Sequence, residues 1–375
     1  MPVNIVPYET EHIPAVQAFN ARLRAAGVAE AFGMRSLLRE ANVGVLRVLG
    51  SGLHEELFLA VDGEAVRGGY SLKHQDFIIN GAVRSISFFQ QPLSEGTIDK
   101  RYALVGPRLL RDALRRHPLL YALGIGGYDH PAARLLKGAR FGIVTVPFYF
   151  RVEHAARFLR QVGLARSSKS RRLASDVAAA TGIGALGIGL LQRYRAGLSR
   201  DRKRITATDF TSFGAPADVV WAASRGTFAL GAVRDRPVLA QLYDNPRNPF
   251  LKVAIEDAGA PCGWAVCLAT QRRGDKYFGD LKFGSIVDLL ALPGYESATV
   301  GAAVELLERE GVDLIVTNQS FQPVGHGLRR NGFFSGPSNF LFAASPKLAE
   351  VLKPLETNLA KFHLNRGDGD GPVNL

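Results

Sequence analysis

Along the first 150 residues, apolar positions switch repeatedly between a two-residue and a helical period. VNIVPY, near the start, alternates as a strand, and ETEHIPAVQAFNARLRAAG behind it reads as an acidic helix start followed by an amphipathic helix. Residues 56–75, ELFLAVDGEAVRGGYSLKHQ, give an apolar strand, a turn at Asp62-Gly63-Glu64 and a second strand carrying Gly69-Tyr70-Ser71-Leu72. RSISFFQQPL (84–93) predicts a further strand, and YALVGPRLLRDALRRH (102–117) places its apolar residues at helical spacing. A short strand (LLYALGIGG), a short helix, a turn with Phe141 and a strand carrying Phe148 and Phe150 complete the run.

The same order returns later. In LKVAIEDAGAPCGWAVCLATQ (251–271), Gly263-Trp264-Ala265-Val266 stands 194 residues after Gly69-Tyr70-Ser71-Leu72. GSIVDLLALPG (284–294) matches the third strand, and Leu306-Leu307 of the following helix lies 197 residues after Leu109-Leu110. Phe333 follows Phe141 by 192 residues, and Phe340 with Phe342 answers Phe148 with Phe150. Several landmarks in one order at nearly one offset imply a repeat, so the expected fold is mixed α/β: two similar domains, each an antiparallel meander closed by βαβ. The expected boundaries are 1–153 and 205–350 for the domains, 154–204 for a connector and 351–375 for a tail.

This order resembles the GNAT acyltransferase superfamily. That family carries a loop with Arg or Gln, then two small residues, then a Leu pair, at the start of the helix after the fourth strand. Free N–H groups of a helix start bind the coenzyme A pyrophosphate, and small side chains let it approach the backbone. Arg101, Gly106 and Leu109-Leu110 match in the first half, with Leu104 in place of the first glycine and Val105 and Pro107 completing the loop. In the second half Gly301, Ala302 and Ala303 fall at the loop and Ala298 replaces the arginine. The resemblance implies a transferase moving an acetyl or other acyl group from acyl-CoA to an amino group of a small-molecule, sugar or cell-envelope acceptor. Families with two such folds in one chain include Fem-type transferases, which use charged tRNA, and acyltransferase-like proteins of exopolysaccharide clusters. RDRPVLAQLYDNPRNPF (234–250) and RGDGDGPVNL (366–375) look like the latter, for which a non-catalytic scaffold in polysaccharide biosynthesis is a further reading.

Acyl transfer to an amine calls for a base and for an acid at the leaving thiolate. Glu95, just past the fourth strand, and Asp288, inside the matching strand of the second half, are the candidate bases; Tyr102 is the candidate acid. Asp288 in an apolar strand is either functional or paired. The tyrosine that the family keeps on its later helix is replaced by Leu136 and Leu328. Arg101, Arg108 and Arg111 favour the first half as the active one, because Glu296 and Glu305 would repel an anionic donor.

The net charge of +12 would suggest a polyanionic partner if it were spread over a face. It is not: residues 151–204 carry 13 Lys and Arg against three acids, which leaves the rest nearly neutral. A solvated helical connector and a helix lying on an anionic membrane surface both fit that segment, whose run LASDVAAATGIGALGIGLL contains Asp176 and few large side chains and is a poor membrane span. Nucleic acid is disfavoured because no aromatics interleave the basic residues. The amino terminus has no secretory pattern, so the expected location is the cytoplasm, with peripheral contact to the inner membrane as an option. Cys262 and Cys267 read as buried thiols, and no metal is expected, since GDGDG lacks the ligand spacing of a calcium loop.

Overall fold

The computed structural model describes residues 3–28, 38–40, 46–47, 53–155, 157–158, 205–244, 250–271 and 280–369; most of the basic connector and the last six residues lie outside them. In chain order the first elements are β1 (Asn4–Pro7), α1 (Ile13–Ala25), β2 (Leu46–Arg47), β3 (His54–Asp62), β4 (Ala65–Ile79), β5 (Ala82–Ser94), α2 (Val105–Arg116), β6 (Leu120–Leu123), α3 (Pro131–Gly138), β7 (Gly142–Thr145) and β8 (Phe148–Val152). Then come β9 (Ile205–Asp209), α4 (Ala215–Ser224), β10 (Leu230–Ala232), α5 (Arg236–Tyr243), β11 (Leu251–Asp257), β12 (Ala260–Gln271), β13 (Lys282–Ala291), α6 (Glu296–Arg309), β14 (Leu314–Asn318), α7 (Gln322–Arg330), β15 (Phe334–Gly336), β16 (Leu341–Ala344), α8 (Pro346–Leu352), α9 (Leu355–Asn358) and β17 (Phe362–His363).

Two-residue turns set the central hairpins. Asn80 and Gly81 join β4 to β5 with φ of 50° and 84°, and Ala258 and Gly259 join β11 to β12 with φ of 51° and 84°. Positive φ at both central residues matches the right-handed twist of the flanking strands. Ala258 holds that conformation without glycine's freedom, at a cost of about 1–2 kcal/mol.

The strands fall into two compact units, one of residues 1–145 with 341–357, the other of 146–340 with 358–375. The first unit's sheet runs β1-β3-β4-β5-β6-β16-β7 and the second's runs β15-β8-β14-β13-β12-β11-β9. Read from β9, the second repeats the first position by position, except that the closing strands have changed places. β16, from late in the chain, pairs antiparallel with β6 and β7, and β8 pairs antiparallel with β14 and β15. The sequence-based boundaries place 146–153 in the first domain and 341–350 in the second, whereas the hydrogen-bond ladders assign each to the other unit. Phe148 with Phe150 in one stretch and Phe340 with Phe342 at the start of the other give the same pattern, so neither hydrophobicity nor spacing discriminates between the two sheets.

In the first unit, α1 covers one sheet face with Val16, Phe19 and Leu23 against Leu59 and Val66. In the second, α6 packs Val300, Ala303 and Leu307 against Val253, Ala265 and Ile286. Among the described residues no helix is long and apolar enough to cross a membrane.

At the β8 end of the second unit, Glu153 shares Arg151 with Glu308, the two ion pairs measuring 2.5 and 2.7 Å. Burial raises the Glu153 carboxyl to about 7, Arg151 pulling it down and Glu308 pushing it up. A carboxyl raised on folding holds its proton while the unfolded chain releases it, so stability falls as pH rises from about 4.5 to 7. Glu153→Gln is expected to flatten that slope, by up to roughly 3 kcal/mol between the two limits. Denaturation midpoints across that window measure it, and an unchanged slope in the variant would contradict the assignment.

Candidate functional site

In both units the two parallel strands separate soon after they meet. β5 and β6 are paired only at Ser87–Leu120 and Phe88–Tyr121, and β13 and β14 only from Phe283–Leu314 to Ser285–Val316. Beyond those pairs an opening forms at the carboxyl ends of the strands, where α/β sheets bind ligands. A bulge precedes the opening on the meander side. In the first unit the β4–β5 register jumps from Gly69–Leu93 to Ser71–Gln90, with Gln91 at a φ of 46°. In the second unit the jump lies between Val266–Asp288 and Cys267–Ile286. Over the first bulge lies a small cleft whose walls include Tyr8, Leu57, Phe58, Tyr70, Ser71 and Gln91.

The helix start beside the first unit's opening is accessible and basic. Val105, Gly106 and Pro107 form the first turn of α2 behind Leu104, whose side chain makes no cap and is 67 % exposed. The first N–H groups of such a turn have no intrahelical acceptor. Arg101, with its side chain 83 % exposed, is folded back onto Asp99 at 2.6 Å. A Cβ added to Gly106 would meet only Leu135, at 3.9 Å, so internal packing does not demand glycine there. The helix is fixed against the sheet from its other end. Tyr70 donates to Asp112 at 2.6 Å, Arg116 donates to Asp112 at 2.7 Å, and the Arg116 guanidinium lies 4.0 Å from the centre of the Phe58 ring.

Glu95 and Tyr102 come together here through a residue that the sequence reading did not single out. Glu95 is 4 % exposed and binds both Arg22, at 2.8 Å, and Arg67, at 3.0 Å. Arg67 stacks 4.4 Å from the Tyr102 ring centre, and the Tyr102 hydroxyl points at Asp62 Oδ2, 3.5 Å away. Glu95 thus holds Arg67 beneath the Tyr102 ring.

The second unit fills its own opening. Asp288, 1 % exposed, accepts from Arg234 Nε at 3.0 Å, from the Tyr243 hydroxyl at 2.8 Å and from Asn365 Nδ2 at 2.5 Å. Arg234 also reaches Asp368 at 2.8 Å. Residues 362–368 run beside the chain just past β14, where Ser320 N donates to Leu364 O at 3.1 Å and Gln319 forms a bridge with Asn365. Burial opposes the charge of Arg234, but Asp288 and Asp368 outweigh it and hold the guanidinium above its usual pKa; burial and the Asp288 charge push the Tyr243 phenol well up. Asp288 therefore has a partner in every direction and is no free base. The segment expected as a tail is the filling.

Gly301, Ala302 and Ala303 do not form a phosphate loop. α6 begins at Glu296, so all three lie beyond its first turn, where their N–H groups belong to the helical ladder, and Ala302 and Ala303 are buried. α7 packs against the helix start: a Cβ added to Gly327 would lie 3.0 Å from Ser297 N, and Asn331, just after α7, donates to Ser297 O at 2.8 Å. The Leu-pair registration misplaced this loop because α6 starts ten residues ahead of Leu306, whereas α2 starts only four ahead of Leu109.

No protein-family description and no curated protein matches the sequence. Solved structures do match. A GCN5-related N-acetyltransferase from Anabaena variabilis superposes with a TM-score of 0.51 at 10% identity, over 91% of this chain and 72% of its own. The fold is that of GNAT proteins. A probable N-acyltransferase from Enterococcus faecalis V583 is similar at a TM-score of 0.50 and 11% identity, over 94% of this chain and 74% of its own. In this GNAT fold the exposed, basic helix start belongs to the first unit, and α7 packs against the corresponding helix start of the second.

Proposed function

We propose that the protein is an acyl-CoA-dependent N-acyltransferase that works through its first unit. The observation that carries this reading is the uncapped start of α2, with Lys100, Arg101 and Arg108 around it, at the open carboxyl end of β5. Backbone N–H groups of Val105 and Gly106 would hold the pyrophosphate, the positive end of the helix dipole adding to the attraction. Arg101 would exchange Asp99 for phosphate, and Pro107, which has no N–H to leave unsatisfied, holds the turn. Acyl-CoA supplies the thioester, and the cleft over the β5 bulge is where its acyl group and a neutral amine would meet. As the amine attacks, the C–S bond breaks; Tyr102 donates its proton to the departing thiolate, and the amine's proton leaves to water. The second unit, lacking an open helix start, serves as a partner fold without its own donor site.

Calorimetric titration of acetyl-CoA and longer acyl-CoAs into the full chain tests the reading. Arg101→Ala is expected to weaken binding roughly 10-fold, the effect of losing one charged hydrogen bond. Gly106→Trp should abolish binding, and Gly301→Trp should leave it intact if the protein still folds. Tyr102→Phe should keep the affinity and lower kcat about 100-fold. No binding by any form would overturn the proposal and favour a scaffold, while salt-sensitive tRNA binding in its place would favour a charged-tRNA donor.

A further inference from the structure

At the far end of α2 from the proposed donor site, three β-strands and the helix terminus bring histidines together around one carboxylate. His54 and Glu56 alternate on β3 and so share a face. His74 lies directly opposite His54 in the β3–β4 register, and Ser87 lies directly opposite His74 in the β4–β5 register. His74 Nε2 is 2.7 Å from Glu56 Oε2, and the ligand atoms of His54, Glu56 and His74 all lie within 4.8 Å of one another. His117, the residue that ends α2, sets its Nε2 3.9 Å from the same carboxylate oxygen. Its ring centre is 4.2 Å from that of His74, as is that of His54.

We propose that this cluster is a binding site for one divalent transition-metal ion of the zinc class, with His54, Glu56 and His74 as ligands and His117 as the fourth. Four donors about 2.0–2.2 Å from zinc stand roughly 3.3 Å apart, so the His54, Glu56 and His74 donor atoms need to close up by about 1.5 Å at most. Imidazoles with one carboxylate and no thiolate select zinc, nickel, cobalt or copper over calcium and magnesium. Ser87 supplies the outer contact that such a site needs: its Oγ is 2.7 Å from His74 Nδ1, and with an ion bound in place of the Nε2 proton the Nδ1–H would donate to Ser87, leaving the Nε2 lone pair for the metal. His54, Glu56 and His117 are each partly exposed, which gives an ion a way in. The alternative use of Ser87, His74 and Glu56 as a nucleophile relay fails on access, because Ser87 is 0 % exposed.

The test uses the full chain, stripped with EDTA and dialysed, titrated with ZnCl2 by calorimetry and with CoCl2 by visible absorption. One ion per chain with the d–d bands of a low-symmetry Co2+ site is the expected result. His54→Ala and Glu56→Gln, both at partly exposed positions, should each weaken binding at least 10-fold without lowering the melting temperature of the metal-free protein. Ser87→Ala should weaken it about 10- to 100-fold, the usual effect of losing an outer-shell partner. Absence of saturable binding, or an ion whose affinity and Co2+ spectrum survive in both His54→Ala and Glu56→Gln, would overturn the proposal. Unchanged affinity in His117→Ala would strike out the fourth ligand.

Discussion

A fragment comprising residues 1–204 is expected to remain unfolded when expressed alone, although it contains every element of the first repeat. The sheet of the first unit is continuous only through β16, which sits between β6 and β7 and contributes Leu341, Phe342, Ala343 and Ala344, all fully buried. Without residues 341–357, the ladder edges of β6 and β7 and the apolar surface beneath them face water, and exposed edges of that kind promote association. Circular dichroism and a chemical denaturation curve decide the matter: no cooperative transition is expected for 1–204, and a recovered transition is expected when 341–357 is joined to residue 145 through a short flexible linker. A fragment 1–204 that unfolds cooperatively, with the stability of an ordinary domain, would refute the strand assignment.

The second large effect is expected in the filled opening. Arg234→Ala leaves Asp288 and Asp368 buried without their cation, and removing one partner of a buried ion pair typically costs about 3–5 kcal/mol. Because native domains hold only about 5–15 kcal/mol in reserve, the variant should fold marginally or not at all. The control is the exchange of the whole group, Arg234→Met with Asp288→Leu and Asp368→Asn, which should recover most of the loss because apolar replacements escape the desolvation penalty. Urea denaturation of the full chain measures both. A loss below about 1 kcal/mol in Arg234→Ala would mean that water already reaches these carboxylates.

Much of the local architecture was legible in the pattern. The hairpin at Asp62-Gly63-Glu64, the strand behind it and the helix after Arg101 all stand where the apolar periods put them. The repeat was legible too, because matching landmarks recur in both sheets in one order. What sequence could not supply was any choice between equivalent partners. Phe148 and Phe150 fit either sheet equally well, so the exchange of closing strands left no mark on the hydrophobic pattern. Asp288 advertised that it needed a partner, but Arg234 and Asp368 lie 54 and 80 residues from it, and only folding brings them together. The histidine cluster was hidden for a related reason: His54, His74 and His117 have no motif spacing, and strand register alone aligns them. At the candidate donor site, Arg101 and Gly106 were singled out by likeness to a loop, not by pattern. The ion pairs of Glu95 were hidden because its two arginines, Arg22 and Arg67, come from other elements.

The traded strands also bear on how such a gene can change. Duplicated halves that fold separately can be split, shuffled or lost one at a time, and a copy whose opening is plugged would be the first to go. Here a deletion that discards the closed half removes an inner strand from the open half as well. The plugged copy is therefore inherited as a mechanical part of its neighbour, whatever chemistry it performs.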